Sequence, residues 1–121
     1  MNATLSIPVD AIRIVVTTEG DWDPDTSYLE QPEWEDRLAE YQDGRFGFIG
    51  VIATAVADID PDRPFAKPAE LCSHSLWGIE DDSEGMYLRE VAADLVKECR
   101  RELAQRFDID ADTIPTEGEY A

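Results

Sequence analysis

The stretch SLWGIEDDSEGMYLREVAADLVKECRREL, residues Ser75 to Leu103, decides the fold. It reads as the end of a strand, a turn, four acidic residues and then a helix. Asp81 suits the N-cap of that helix, with Glu84 three residues on completing a capping box; Asp82 and Ser83 are alternative caps. Leu88, Val91, Ala92, Leu95, Cys99 and Leu103 then recur on a 3.6-residue period and predict one buried stripe. Arg89, Glu90, Asp94, Lys97, Glu98, Arg101 and Gln105 occupy the opposite face. Asp81, Asp82 and Glu84 at its start, and Lys97, Arg100, Arg101 and Arg106 at its end, complement the helix dipole.

Upstream of the turn, Ala69 to Trp77 reads as a strand pairing back on its predecessor. That predecessor, Arg45 to Asp58, is the most apolar segment; both of its faces are apolar, which places it centrally in a sheet. Pro32 to Tyr41 predicts a short helix with Pro32 in its first turn, apolar at Trp34, Leu38 and Tyr41 and ended by Gly44. Ala11 to Glu19 is rich in β-branched residues and predicts a strand with Ile12, Ile14 and Val16 on one face. The expected fold is a single α+β domain over residues 1–121. It has a small antiparallel sheet of about three strands, a long C-terminal helix on one face and the order β-α-β-β-α. Residues 1–10 and 108–121 are expected to be loose ends.

The chain has 121 residues, 28 of them acidic and 10 basic, for a formal net charge of −18. A field of that sign opposes direct contact with nucleic-acid phosphates or anionic membranes and favours basic protein surfaces. No apolar stretch approaches the ~20 residues needed to span a bilayer, and no secretory leader pattern opens the sequence, so a cytoplasmic location is expected. Two cysteines do not make a disulfide framework; Cys72 and Cys99 are expected to be buried free thiols.

Charge is densest between Glu19 and Asp43, where ten acidic residues accompany one basic residue, Arg37. Trp22, Tyr28, Leu29 and Trp34 are interleaved among them. The bland reading is a solvated loop and helix surface. The functional one is a surface that offers carboxylates where a nucleic acid offers phosphates, with aromatic residues as anchors. On that reading the partner-binding residues are Asp21, Trp22, Asp23, Asp25, Glu30, Glu33, Asp36 and Glu40.

Three D-x-D-x-D runs, at residues 21–25, 58–62 and 108–112, begin as calcium loops do. The third has Glu119 at its twelfth position but Thr113 where the loop needs glycine, so turn formation by Asp is expected. Cys72 and His74, two apart on a strand, share a face, and with Cys99 raise the question of zinc or thiol catalysis. No second pair of such ligands follows, and phosphate-loop, dinucleotide-binding, serine-hydrolase and zinc-protease patterns are absent. No catalytic residue, metal or cofactor is expected.

The segment Leu76-Trp77-Gly78-Ile79-Glu80-Asp81-Asp82-Ser83, followed by Tyr87-Leu88 and Glu90-Val91, resembles a segment of small acidic proteins encoded by actinobacterial genomes, their phages and plasmids. Theirs usually reads L-W-G-I-E-S-D-S, then Y-L and E-V; here Asp81 replaces the serine. That family has no assigned activity, so the resemblance implies a mobile-element setting and marks Trp77, Gly78, Glu80, Asp81 and Asp82 as its motif. The expectation is a non-enzymatic acidic binding protein, a nucleic-acid mimic of the counter-defence type that blocks the basic surface of a nucleic-acid-handling partner. The alternative is an accessory protein whose acidity serves solubility or salt adaptation.

Overall fold

The computed structural model describes residues 8–58 and 67–120. Its centre is one mixed sheet of four strands, β1 (Ile12–Gly20), β2 (Phe48–Ala57), β3 (Ala69–Glu80) and β4 (Thr116–Gly118), in the order β3-β2-β1-β4. β2 runs antiparallel to β1 and to β3, whereas β4 runs parallel to β1. Two short 3-10 turns (Ser27–Glu30 and Pro32–Trp34) and helix α1 (Glu35–Gln42) lie between β1 and β2. Helix α2 (Gly85–Arg106) follows β3.

The α+β class stands, but the strand count and order are corrected: the chain runs β-α-β-β-α-β and the sheet is not purely antiparallel. The error lies in the C-terminal segment, which is not a loose end. Ala111 and Ile114 are buried in the main core. The Ile14 N–H donates to the Pro115 carbonyl at 3.0 Å, and the Glu119 N–H to that of Val16 at 3.0 Å. Gly118, at φ +99°, permits this approach; a Cβ there would lie 2.2 Å from the Val16 carbonyl oxygen. A three-residue edge strand carries no readable alternation, so polar composition masked it. Of the expected N-terminal arm, residues 1–7 lie outside the described residues, and Val9–Ala11 form a 3-10 turn.

Alternation sorts the strands onto two faces. Ile12, Ile14 and Val16 of β1, Val51, Ala53, Ala55 and Ala57 of β2, and Cys72 and Ile79 of β3 meet α2 through Leu88, Val91, Ala92, Val96, Cys99 and Leu103. Val96 joins the stripe expected for the helix, while Leu95 is only half-buried at its border. Phe48 points to the other face, where Leu29, Phe46, Tyr28, Leu38 and Tyr41 form a second apolar cluster. Complete burial of Leu29 is worth about 1.5–3 kcal/mol and ties the acidic segment down over that end of the sheet.

β3 changes face part-way. Leu76 pairs with Val51 and Ile79 with Ile49, so Trp77 and Gly78 together oppose Gly50. This bulge, with Gly78 at φ +75°, reverses the alternation. Before it Cys72 and His74 face α2; after it Ile79 does, and Glu80 is turned to the Phe48 side. Gly50 leaves room for the Trp77 ring, since a Cβ there would sit 2.3 Å from Cε3. Among the described residues no helix is long and apolar enough to cross a membrane.

Candidate partner-binding surface

The two groups of residues singled out in the sequence, the acidic segment and the motif around Trp77, meet in space. Their junction is organised by Arg37, which the sequence reading did not single out. Arg37 Nη1 donates to Glu40 at 2.8 Å, and Nη2 to Glu80 at 2.9 Å and to Asp82 at 2.5 Å. Its guanidinium also lies 3.6 Å from the centroid of the Phe46 ring. A cation stacked on an aromatic face and forked between carboxylates from three elements acts as a clasp. The Asp82 hydrogen bond, then that of Glu80, raises the Arg37 pKa further, so it stays charged at any working pH. The same guanidinium holds the Asp82 carboxyl below its usual range. Glu80 also accepts the Tyr28 hydroxyl at 2.5 Å; burial first, then that bond, push the phenol up to about 12.

Asp21 closes the junction from the other side. Its carboxylate accepts the Gly78 N–H at 3.0 Å and the Asp23 N–H at 3.1 Å, while its own N–H donates to the Phe48 carbonyl. Asp25 accepts both the N–H and the hydroxyl of Ser27, and the hydroxyl bond chiefly lowers its pKa. Asp110 does the same for the Asp112 N–H at 3.2 Å, and Glu119 accepts the Thr18 hydroxyl at 2.6 Å. Asp21, Asp25 and Asp110 thus close Asx turns, the local competition that Asp offers its own backbone. Of the run at 58–62, Asp58 pairs with Arg13 at 2.7 Å and residues 60 and 62 lie outside the described residues.

The capping box is corrected. α2 begins at Gly85 with no side-chain cap, because Asp82 is committed to Arg37 and Ser83 turns its hydroxyl onto the Glu80 carbonyl at 2.6 Å. The Asp81 N–H donates to the Gly47 carbonyl at 2.9 Å, which pins the corner to the start of β2. Trp77 donates from Nε1 to the Ser75 hydroxyl at 3.1 Å and lies over Gly50, half-exposed.

The eight partner-binding candidates therefore divide. Asp21, Asp25 and Glu40 are bound into the local structure. Asp23, Glu30, Glu33 and Asp36 are exposed and form no ion pair among the described residues. Trp22, next to Asp23 in the chain, is 94% exposed. Two open clefts of about 360 and 370 Å³ flank the Asp21–Gly78 bond, one lined by Trp22, Pro24, Tyr41 and Asp81, the other by Tyr28, Leu76, Trp77 and Tyr87. Arg37 had one legible signal: a lone cation in a run of ten acids is bound to be shared. Two of the partners it chose, Glu80 and Asp82, 43 and 45 residues away, had none.

Comparison of the chain with family models, with curated proteins and with solved structures finds no match.

Proposed function

We propose that the chain is a non-enzymatic binding protein whose acidic segment occupies a basic surface of another protein, one that otherwise receives a nucleic acid. The observation that carries this reading is the exposure of Asp23, Glu30, Glu33 and Asp36 in the same segment that exposes Trp22. Four carboxylates stand in solvent with no ion pair among the described residues, and the Trp22 indole of the same segment is almost fully exposed. Arg37, the only cation within this segment, is turned inward onto Glu40, Glu80 and Asp82. Leu29 and the second cluster hold the segment in place, so the charges are presented in a fixed pattern at little entropic cost. Carboxylates so placed engage Arg and Lys as phosphates do, and the exposed indole supplies anchor area. A mobile-element setting, with a nucleic-acid-handling protein as target, accords with the resemblance carried by the motif at 76–83.

The test is capture of a partner on the tagged chain, followed by competition with duplex DNA and with salt. The captured partner is then titrated against the variant Asp23→Asn/Glu30→Gln/Glu33→Gln/Asp36→Asn. At a few tenths of a kcal/mol per rim charge, the variant binds about tenfold more weakly. Trp22→Ala costs about a further 2 kcal/mol as a hot spot. A partner held equally by the variant, and unmoved by DNA, refutes the proposal. Such a contact belongs instead to the sheet face carrying Val15, Ile52 and Val56, half-exposed among Thr17, Ser73 and Ser75.

A further inference from the structure

A separate group of side chains lies between β3 and α2. Cys72 and His74, two apart on β3, both face the helix, and Cys99 faces back from α2 with Glu102 one turn further on. One ligand atom from each of Cys72, His74 and Cys99 lies within 4.8 Å of the other two. Cys99 is wholly buried and Cys72 nearly so, and both are free thiols. The His74 side chain is 30% exposed, which gives the group an edge open to solvent. Glu102 Oε1 lies 3.1 Å from His74 Nε2, and Arg106 holds Glu102 in turn at 2.9 Å. Arg106 first, then His74, keep the Glu102 carboxyl below its usual range.

This is not a thiol–imidazole nucleophile. The imidazole is engaged by Glu102 rather than by a sulfur, and Cys99 donates to the Ala53 carbonyl at 3.3 Å. The Cys72 thiol is directed to the Cys99 carbonyl at 3.9 Å, so neither thiol gives its proton to the imidazole.

We propose that Cys72, His74 and Cys99 form a binding site for one zinc-type divalent ion, with Glu102 behind the imidazole. Two sulfurs and an imidazole are a borderline-soft donor set that suits zinc and disfavours calcium or magnesium. In a tetrahedral site, with zinc–sulfur and zinc–nitrogen bonds of 2.0–2.3 Å, donor atoms stand about 3.5–3.8 Å apart, so closure requires a contraction of about 1 Å. A strand supplying i and i+2 and a helix supplying the facing residue are rigid mounts for such a site. While Glu102 holds Nε2, Nδ1 is the ring nitrogen left for the ion, which is the carboxylate–histidine–metal arrangement that orients a ligating imidazole. The fourth position opens toward solvent on the His74 side and takes water. Binding displaces the two thiol protons to solvent and leaves both sulfurs as thiolates on the ion; no electron is transferred. The site is independent of the acidic segment.

The test uses the reduced, metal-stripped full chain titrated with Co²⁺ and then with Zn²⁺. The expected result is a thiolate-to-cobalt charge-transfer band that saturates at one equivalent. Up to two protons are released per ion, and zinc then displaces the cobalt. Cys72→Ala and Cys99→Ala abolish the band. Glu102→Gln keeps it but weakens affinity about 10–100-fold. His74→Ala, at the half-exposed edge of the group, serves where a cysteine variant fails to fold, and it too loses stoichiometric binding. Cobalt uptake without a thiolate band, or a band that survives Cys99→Ala, overturns the proposal, because the many surface carboxylates hold divalent ions without sulfur.

Discussion

Replacing Arg37 with methionine separates the clasp from generic surface charge. The substitution keeps an apolar stem over Phe46 and removes the guanidinium. It deletes the contacts to Glu40, Glu80 and Asp82 and the stacking at 3.6 Å on Phe46. Each ion pair is partly exposed, with side-chain accessibilities of 21% for Arg37 and 26–45% for its partners, so solvent screening keeps each to about 0.2–1 kcal/mol. The cation–π contact adds about 0.5–1 kcal/mol. Their sum, trimmed because the contacts share one side chain, is about 2–3 kcal/mol. The control is Arg101→Met. Arg101 forms a single exposed pair with Glu98 and costs no more than about 0.5 kcal/mol. Both variants remove one positive charge from a chain of net −18, so the added self-repulsion is comparable and the difference reports the clasp. Urea unfolding followed by circular dichroism reads it directly. At a slope of about 1–3 kcal/mol per molar urea, the midpoint of Arg37→Met falls about 0.5–2.5 M below that of Arg101→Met. Coincident midpoints would mean that the acidic segment is held by Leu29 and its apolar neighbours alone, and the clasp would be ornament.

Two further outcomes follow from the same contacts. Gly118→Ala places a Cβ 2.2 Å from the Val16 carbonyl at a positive φ, so β4 detaches; the Ile14 amide, bonded to Pro115, then exchanges with solvent far faster than in the unaltered chain, and unchanged protection there would show that the edge tolerates a side chain. The Asp82 pKa is lowered by Arg37, so the stabilisation it confers is complete above the unfolded-state value near 3.9 and is lost as pH falls through the lower folded value; the stability gap between the unaltered chain and Arg37→Met is therefore full at pH 6 and narrows below about pH 4, and a gap constant down to pH 3 would contradict the pairing.

What the sequence made legible follows from length and period. The 22-residue α2 and the alternation of β1 were readable because each repeats its pattern several times. β4 was not, because three residues hold no period and its anchors, Ala111 and Ile114, lie outside it. The corner at Trp77–Gly78 was legible as a bend. Its consequence, the turning of Glu80 away from α2 and onto Arg37, depends on pairing with Gly50 in another strand. The acids posed the harder problem. Asp21 and Asp23 are chemically identical in sequence, yet one closes a turn and bonds Gly78 while the other stands in solvent. The common face of Cys72 and His74 follows from their spacing, whereas the approach of Cys99 depends on how α2 seats on the sheet, which no local pattern specifies.

The division of the acids gives salt a diagnostic role. Carboxylates bound to Arg37 or to backbone amides are partly compensated locally, so added salt alters them less. Those without an ion pair among the described residues, Asp23, Glu30, Glu33 and Asp36 among them, repel other carboxylates of the folded chain. Screening over a Debye length of about 8 Å relieves that repulsion and stabilises the fold. If the same carboxylates meet a basic partner, screening weakens that contact. Salt then acts with opposite sign on folding and on binding, through the same side chains. Neutralising the four residues weakens both responses together. An acidity that served only solvation produces the first response without the second, so measuring both on the unaltered chain and the neutralised variant separates the two readings, whichever protein the partner turns out to be.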